Sequence, residues 1–160
     1  MTDFGIARAL HLVMVVLWIG GVGMVTTVLL PGIRRAYPPR ERFGAFHAIE
    51  ARFARQARWT TALAGLSGLY MTWRIDAWDW FASAPFWWMH AMVLTWLVFT
   101  VMLFIAEPFF LDRLLERRAV RDPVATYRLV ERLHWVLLTL SLITVAGAAA
   151  GVAGINLAGF

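Results

Sequence analysis

Apolar residues along the chain fall into four long stretches separated by polar connections. Residues 9–33, 59–73, 80–106 and 133–160 contain no Asp, Glu or Arg. Because a helix needs about 20 residues to cross the hydrocarbon core of a bilayer, each stretch predicts a membrane-spanning helix, the second being the shortest. We therefore predict an all-α, four-helix transmembrane bundle that forms one domain over residues 1–160, with spans at about 6–31, 55–74, 85–108 and 131–155.

The arginines are distributed unevenly among the connections. Residues 34–58 carry seven Arg and residues 112–132 carry six, whereas residues 74–79 carry one Arg and two Asp. Basic residues accumulate on the cytoplasmic side of a membrane, so the first and third connections are predicted to be cytoplasmic and both termini outside. We expect a multi-pass protein of the inner (cytoplasmic) membrane whose main partner is the lipid bilayer. An aromatic belt is predicted at the outer interface, formed by Trp73, Trp78, Trp80, Trp87 and Trp88.

The first connection contains an amphipathic segment over residues 41–58. At 100° per residue, one face carries Phe43, Phe46, His47, Glu50, Phe53, Ala54 and Ala57. Such a helix either lies on anionic lipid or continues the bundle below the membrane as part of a long second helix. The His and the Glu on its apolar face favour the second alternative.

Composition excludes several classes of function. The chain is 61% hydrophobic, it has no Cys, and all 15 of its basic residues are Arg. Disulfides, zinc–thiolate sites, iron–sulfur clusters and Cys nucleophiles are excluded, as are Schiff-base and P-loop chemistry, which need Lys. The arginines that give the net charge of +5 flank the apolar segments and indicate membrane orientation, so no nucleic-acid partner is expected. No residue is predicted to be catalytic.

The histidines are the main candidates for chemistry. His11 lies near the outer end of the first span and His90 near the outer end of the third, so both are expected at about the same depth. Two imidazoles on facing helices in an apolar pocket are what a bis-His haem b needs. His134, and less securely His47, could serve a second haem at the inner end. The alternative for each is a simple hydrogen bond to a neighbouring helix.

Copper is the alternative metal for the same region. Met14 lies one turn after His11, and Met92 follows His90 by two residues. Imidazole and thioether together form a soft ligand set suited to Cu(I). Core packing is the ordinary role of Met in an apolar helix.

The inner end carries a third constellation, of carboxylates and imidazoles. His47 and Glu50 are three residues apart, and so are Glu131 and His134, while Glu107 ends the third apolar stretch. Such pairs on two helices are typical of di-metal carboxylate bundles, although one Glu is missing and the two pairs run in opposite order. Salt bridges to nearby Arg are the alternative. Glu107 could also bind a propionate or quinone, or carry protons.

Small residues are concentrated inside the spans. Their ordinary role is to let helices approach closely, and they are also compatible with a flat cofactor. They are Gly20, Gly21, Gly23, Gly65, Gly68, Gly147 and Gly151.

Three stretches together resemble a known group of small membrane proteins. The stretches are "ALHLVMVVLWIGGVGMVTTVLLP", "IEARFARQARWTTALAGLSGLYM" and "FWWMHAMVL". They resemble the HemJ-type protoporphyrinogen oxidases and the CopD-type copper resistance proteins. The resemblance implies a four-helix membrane protein that binds haem b, with His11 as the expected ligand, His90 matching the third-span His, and Arg52 matching the Arg that follows the Glu of the second stretch.

One departure from the oxidase pattern bears on activity. The oxidases have a Lys shortly after the third-span His, whereas His90 is followed by Ala91 and Met92, and the chain has no Lys. The missing cation argues against porphyrinogen oxidation more than against haem binding. We therefore expect a b-type haem protein that transfers electrons and is linked to the quinone pool. Porphyrinogen oxidation and copper transport or binding are the alternatives, and quinone, porphyrin and a second copy of the chain are the further partners left open.

Overall fold

The protein is built from four long helices joined by short connections. The computed structural model describes residues 2–155. The helices are α1 (Thr2–Ala36), α2 (Arg42–Arg74), α3 (Ala84–Arg121) and α4 (Pro123–Val152), with a short 3-10 segment at Ala77–Ala82 before α3. The first turn of α3 is also 3-10. Residues 2–155 contain no strand, so the predicted all-α class is confirmed.

Three of the four helices, α1, α3 and α4, are long and apolar enough to cross a membrane. The predicted spans 6–31 and 85–108 lie inside α1 and α3, and the span at 131–155 ends three residues beyond α4. Helix α2 has 33 residues and is about 50 Å long. Arginines occupy its first half, which leaves only the short apolar stretch 59–73 for the bilayer.

The amphipathic segment is continuous with the apolar stretch 59–73 in one helix, α2. Its apolar face packs against protein: Phe43 and Phe46 share a core cluster with Ile33 of α1 and with Tyr127 and Val130 of α4. The first half of α2 therefore extends the packed helices beyond the apolar stretches, as the second of the two sequence interpretations predicted.

Each helix contacts the next one along the chain, and the first helix also contacts the last. Helix α1 packs most extensively on α2, α3 on α4, and further contacts join α2 to α3 and α1 to α4. One core cluster draws on all four helices, through Trp18, Ala57, Phe99 and Leu138 among others. Trp18 meets Phe99 edge-on, with ring centroids 4.9 Å apart.

An added Cβ at Gly20 would meet open space, so close packing explains only some of the seven glycines that the sequence analysis named. At four of them an added Cβ would collide with an aromatic ring of another helix. The pairs are Gly21 with Phe53, Gly65 with Trp96, Gly147 with Trp87 and Gly151 with Trp88. This packing also changes the predicted aromatic belt. Trp88 is only 5% exposed, because the glycines of α4 leave a groove that accepts its indole.

Two helices contain π-helical segments, which the sequence analysis did not anticipate. The first, Val25–Leu29 in α1, ends two residues before Pro31, and the second, Met102–Leu111 in α3, contains Pro108. A proline ring clashes with the carbonyl four residues before it in an α-helix, and an extra residue in the turn relieves that clash.

Candidate functional site

His11 is anchored on the backbone of α2. Its Nδ1 lies 2.9 Å from the carbonyl oxygen of Ala64 and 3.2 Å from Oγ of Ser67. A carbonyl can only accept, so the Nδ1–H donates and the neutral ring keeps a lone pair on Nε2. A Cβ added at Gly68 would lie 3.3 Å from Cε1 of His11, so a glycine gives the ring its place against α2. This arrangement is typical of metal-ligating histidines, whose second nitrogen is fixed by a carbonyl.

His134 has the same tautomer by the same argument. Its Nδ1 lies 2.9 Å from the carbonyl oxygen of Val130, one turn earlier in α4. Phe46 of α2 meets the ring edge-on at a centroid distance of 5.5 Å. Like His11, His134 therefore has its ring oriented by a backbone carbonyl, and its Nε2 is left able to bind a metal.

The other two histidines have different surroundings. His90 is exposed, meets Phe81 edge-on at 5.4 Å, and makes no hydrogen bond within residues 2–155. His47 stacks on Phe43, and its Nε2 lies 3.8 Å from a carboxylate oxygen of Glu116. Thus His11 is hydrogen-bonded to α2, whereas His90 is exposed on α3.

An open groove of about 440 Å³ runs between α1 and α2, one turn from His11. Its lining is mainly apolar, and Ser67, the partner of His11, belongs to it. At the end of the groove nearest the start of α1, a carboxylate oxygen of Asp3 accepts hydrogen bonds from Tyr70 at 3.0 Å and Arg74 at 2.8 Å. The apolar lining residues are Ile6, Ala7, Leu10, Leu63 and Leu66.

The α2–α3 contact is charged at Arg58 and Glu107. Arg58 donates from Nη2 to Glu107 at 2.9 Å and from Nε to the carbonyl of Leu103 at 2.9 Å. In the π-helical register Leu103 would accept from residue 108, but Pro108 has no N–H. Arg58 therefore supplies the donor that the proline removes, and its other nitrogen neutralises a carboxylate that is 12% exposed.

Glu50 lies near this pair without a hydrogen bond or ion pair of its own among residues 2–155. Burial raises the pKa of Glu50 to about 7, the negative charges of Glu107 and Asp112 act in the same direction, and Arg58 opposes them. Glu50 is thus a carboxyl that holds its proton near neutral pH.

The remaining predicted ligands are separated. Glu131 pairs with Arg34 at 3.3 Å, Arg52 is exposed, and Met14 and Met92 are partly buried. Within residues 2–155 no three His, Asp or Glu side chains are grouped as metal ligands. The salt bridges of Glu107 and Glu131 match the alternative that the sequence analysis kept open.

Sequence reasoning missed three contributors. Arg58 was only counted among the seven arginines of the first connection, and Ser67 was not considered. The indole nitrogen of Trp18 is buried without a hydrogen-bond partner in the described chain, in the core next to Phe99. Pro108 signals that a carbonyl of α3 loses its donor, but it does not identify Arg58 as the side chain that replaces it.

Comparisons with models of known families, with characterised proteins and with solved structures found no match to this chain. The resemblance to the HemJ-type and CopD-type proteins therefore remains a prediction from short motifs.

Proposed function

We propose that the chain is an inner-membrane protein, folded as a four-helix transmembrane bundle with both termini outside, that binds b-type haem and transfers electrons linked to the quinone pool. The observation that carries this proposal is the orientation of His11. Its Nδ1–H donates to the Ala64 carbonyl, and the lone pair of its Nε2 is left available to bind a metal in an apolar helix contact.

The chemistry of His11 fits an axial ligand. The hydrogen bond to Ala64 fixes the ring and makes Nε2 more basic, while Ser67 supports the same nitrogen from 3.2 Å. Bound haem would supply a one-electron iron couple, whose potential the apolar surroundings and the ligand would set. The adjoining groove lined by Ala7, Leu10 and Leu63 offers the apolar surface that would hold the group.

The glycines support this fit at one position only. Gly68 lies beside the His11 ring, and an added Cβ there would crowd it. The grooves at Gly65, Gly147 and Gly151 are filled by tryptophan rings and leave no room for a macrocycle. A haem would therefore be held on the α1–α2 side of the bundle.

The second ligand is proposed to be His90, and His134 is proposed for an inner haem. His134 has the better prepared ring, because Val130 fixes its Nδ1. His90 is exposed on α3, away from the α1–α2 groove, so it would ligate the His11 haem only in an arrangement of α3 other than the one described here. The variants below assign each role separately.

The test is a visible spectrum and a pyridine haemochrome of the purified protein, with haem measured per chain. We expect a Soret band with sharp reduced α and β bands, lost in His11→Ala. His90→Ala should change the ligand state of that haem, and His134→Ala should remove only a second haem. Met14→Leu is the matched control on α1, since it removes a copper ligand and no haem ligand.

Two outcomes would replace the proposal. A colourless protein with stoichiometric copper that His11→Ala and Met14→Leu both weaken would indicate copper binding. Haem binding together with rescue of a strain that lacks protoporphyrinogen oxidase would indicate porphyrinogen oxidation in place of electron transfer alone. A colourless protein without copper would leave His11 as a packing residue.

A further inference from the structure

A second cavity, of about 350 Å³, lies between α1 and α4 at the opposite end from the His11 groove. It is lined by residues of these two helices only, and none of them belongs to the proposed haem site. The lining residues are Thr26, Leu30, Pro31, Arg34, Arg128, Glu131, Arg132 and Trp135.

The charges in this cavity are predominantly positive. Three guanidinium groups and one carboxylate line it, and the carboxylate of Glu131 pairs with Arg34 at 3.3 Å. Arg128 and Arg132 have no ion-pair partner among residues 2–155. Two uncompensated guanidinium groups in one cavity fit a phosphate, whose oxygens they can bind in a bidentate manner.

The position of the cavity indicates where that phosphate comes from. Arg34 directly follows the apolar stretch of α1, and Arg132 directly precedes that of α4. Leu30 and the ring of Trp135, which is 52% exposed, form the apolar side of the cavity. Cations on one side and apolar groups with a Trp on the other match the boundary between lipid headgroups and acyl chains.

We propose that this cavity binds the phosphate-bearing headgroup of an anionic membrane phospholipid. Arg128 and Arg132 hold the phosphate oxygens, Arg34 remains shared with Glu131, and Trp135 lies against the glycerol and the first acyl carbons. The lipid would fill the cleft between α1 and α4. This inference does not depend on haem.

The test is native mass spectrometry of the full chain in detergent, titrated with phosphatidylglycerol or phosphatidylcholine. The double variant Arg128→Gln/Arg132→Gln is compared with Arg117→Gln/Arg118→Gln, which removes the same charge from exposed positions on α3. All four arginines are exposed, and only Arg128 and Arg132 line the cavity. We expect one tightly bound phosphatidylglycerol, bound on the order of thirtyfold more weakly by the first variant and within about threefold of wild type by the control.

Several outcomes would overturn the proposal. Equal weakening in both variants would mean diffuse attraction to a basic surface, and equal binding of phosphatidylcholine would mean no recognition of net charge. Displacement of the lipid by millimolar inorganic phosphate would assign the cavity to a soluble phosphate compound. If the double variant does not fold, Arg132→Lys keeps the charge without the bidentate fork, and unchanged lipid affinity in that variant would refute the assigned role of Arg132.

Discussion

The α1–α2 contact and the α2–α3 contact both place a nitrogen donor against a backbone carbonyl of another helix, but the two carbonyls differ. Ala64, which accepts from His11, lies in a regular stretch of α2, where the carbonyl keeps its own helical partner. Leu103, which accepts from Arg58, lies five residues before a proline in a π-helical segment and lacks that partner. Arg58 therefore supplies a hydrogen bond that the Leu103 carbonyl would otherwise lack, whereas the Ala64 carbonyl is satisfied without His11. Because the backbone is satisfied without His11, the ring of His11 is available to bind a ligand.

The largest expected effect is at Arg58. Arg58→Ala removes the partner of Glu107 and the donor to Leu103 together, and breaking a largely buried pair is expected to cost about 3 kcal/mol of unfolding free energy. The measurement is denaturant unfolding in detergent. Arg55→Ala, at an exposed position one turn earlier, is the control and should change stability by less than about 0.5 kcal/mol. Equal effects of the two variants would contradict the structural role of Arg58.

The sequence predicts the helices and their buried faces, but not which side chains meet across the two contacts. Stretches without charge located α1, α3 and α4, because burial in lipid excludes charge from such helices. The spacing of Phe43 and Phe46 identified the buried face of α2. The sequence shows that His11 lies early in the first apolar stretch, but not the direction of its ring, since that depends on how each helix is rotated relative to its neighbours.

The π-helical register of α3 was beyond sequence reasoning for a related reason. Pro108 indicates a disturbance, but its form depends on whether another helix can satisfy the carbonyl that the proline frees. Arg58 does so from α2, 45 residues earlier in the chain. The approach of these two residues is a property of packing and leaves no local pattern.

The second prediction asks whether Pro108 is the reason that Leu103 needs Arg58. Residue 108 regains an N–H in Pro108→Ala and can bond to Leu103 within α3. We expect Arg58→Ala to cost about 1 kcal/mol less in the Pro108→Ala background than in wild type, the value of one hydrogen bond. A double-mutant cycle measures this difference. Additive effects would mean that the arginine acts on Glu107 alone.

The third prediction concerns the other contact. His11→Ala leaves no backbone group unpaired, so in haem-free protein it is expected to lower the unfolding free energy by only about 1 kcal/mol. Ser67→Ala should change it by less, since that hydroxyl also bonds within its own helix, to Leu63 at 2.6 Å. A loss at His11 as large as that at Arg58 would remove the contrast between the two contacts and the argument that His11 is free to bind.

The last prediction is a pH dependence centred on Glu50, which sits beside the Arg58–Glu107 pair. Its pKa is about 7 in the folded protein and 4.5 ordinarily, so the folded protein binds this proton more tightly than the unfolded chain. Stability should therefore fall as pH rises from about 4.5 to about 7, and the contribution of Glu50 should be constant outside that window. Glu50→Gln stays uncharged, so it should flatten this slope and exceed wild type in stability at pH 8. Glu41→Gln, at an exposed position just before α2, should leave the slope unchanged. An unchanged slope in Glu50→Gln would show that the charged end of the α2–α3 contact does not hold this proton, and that Arg58 compensates both carboxylates.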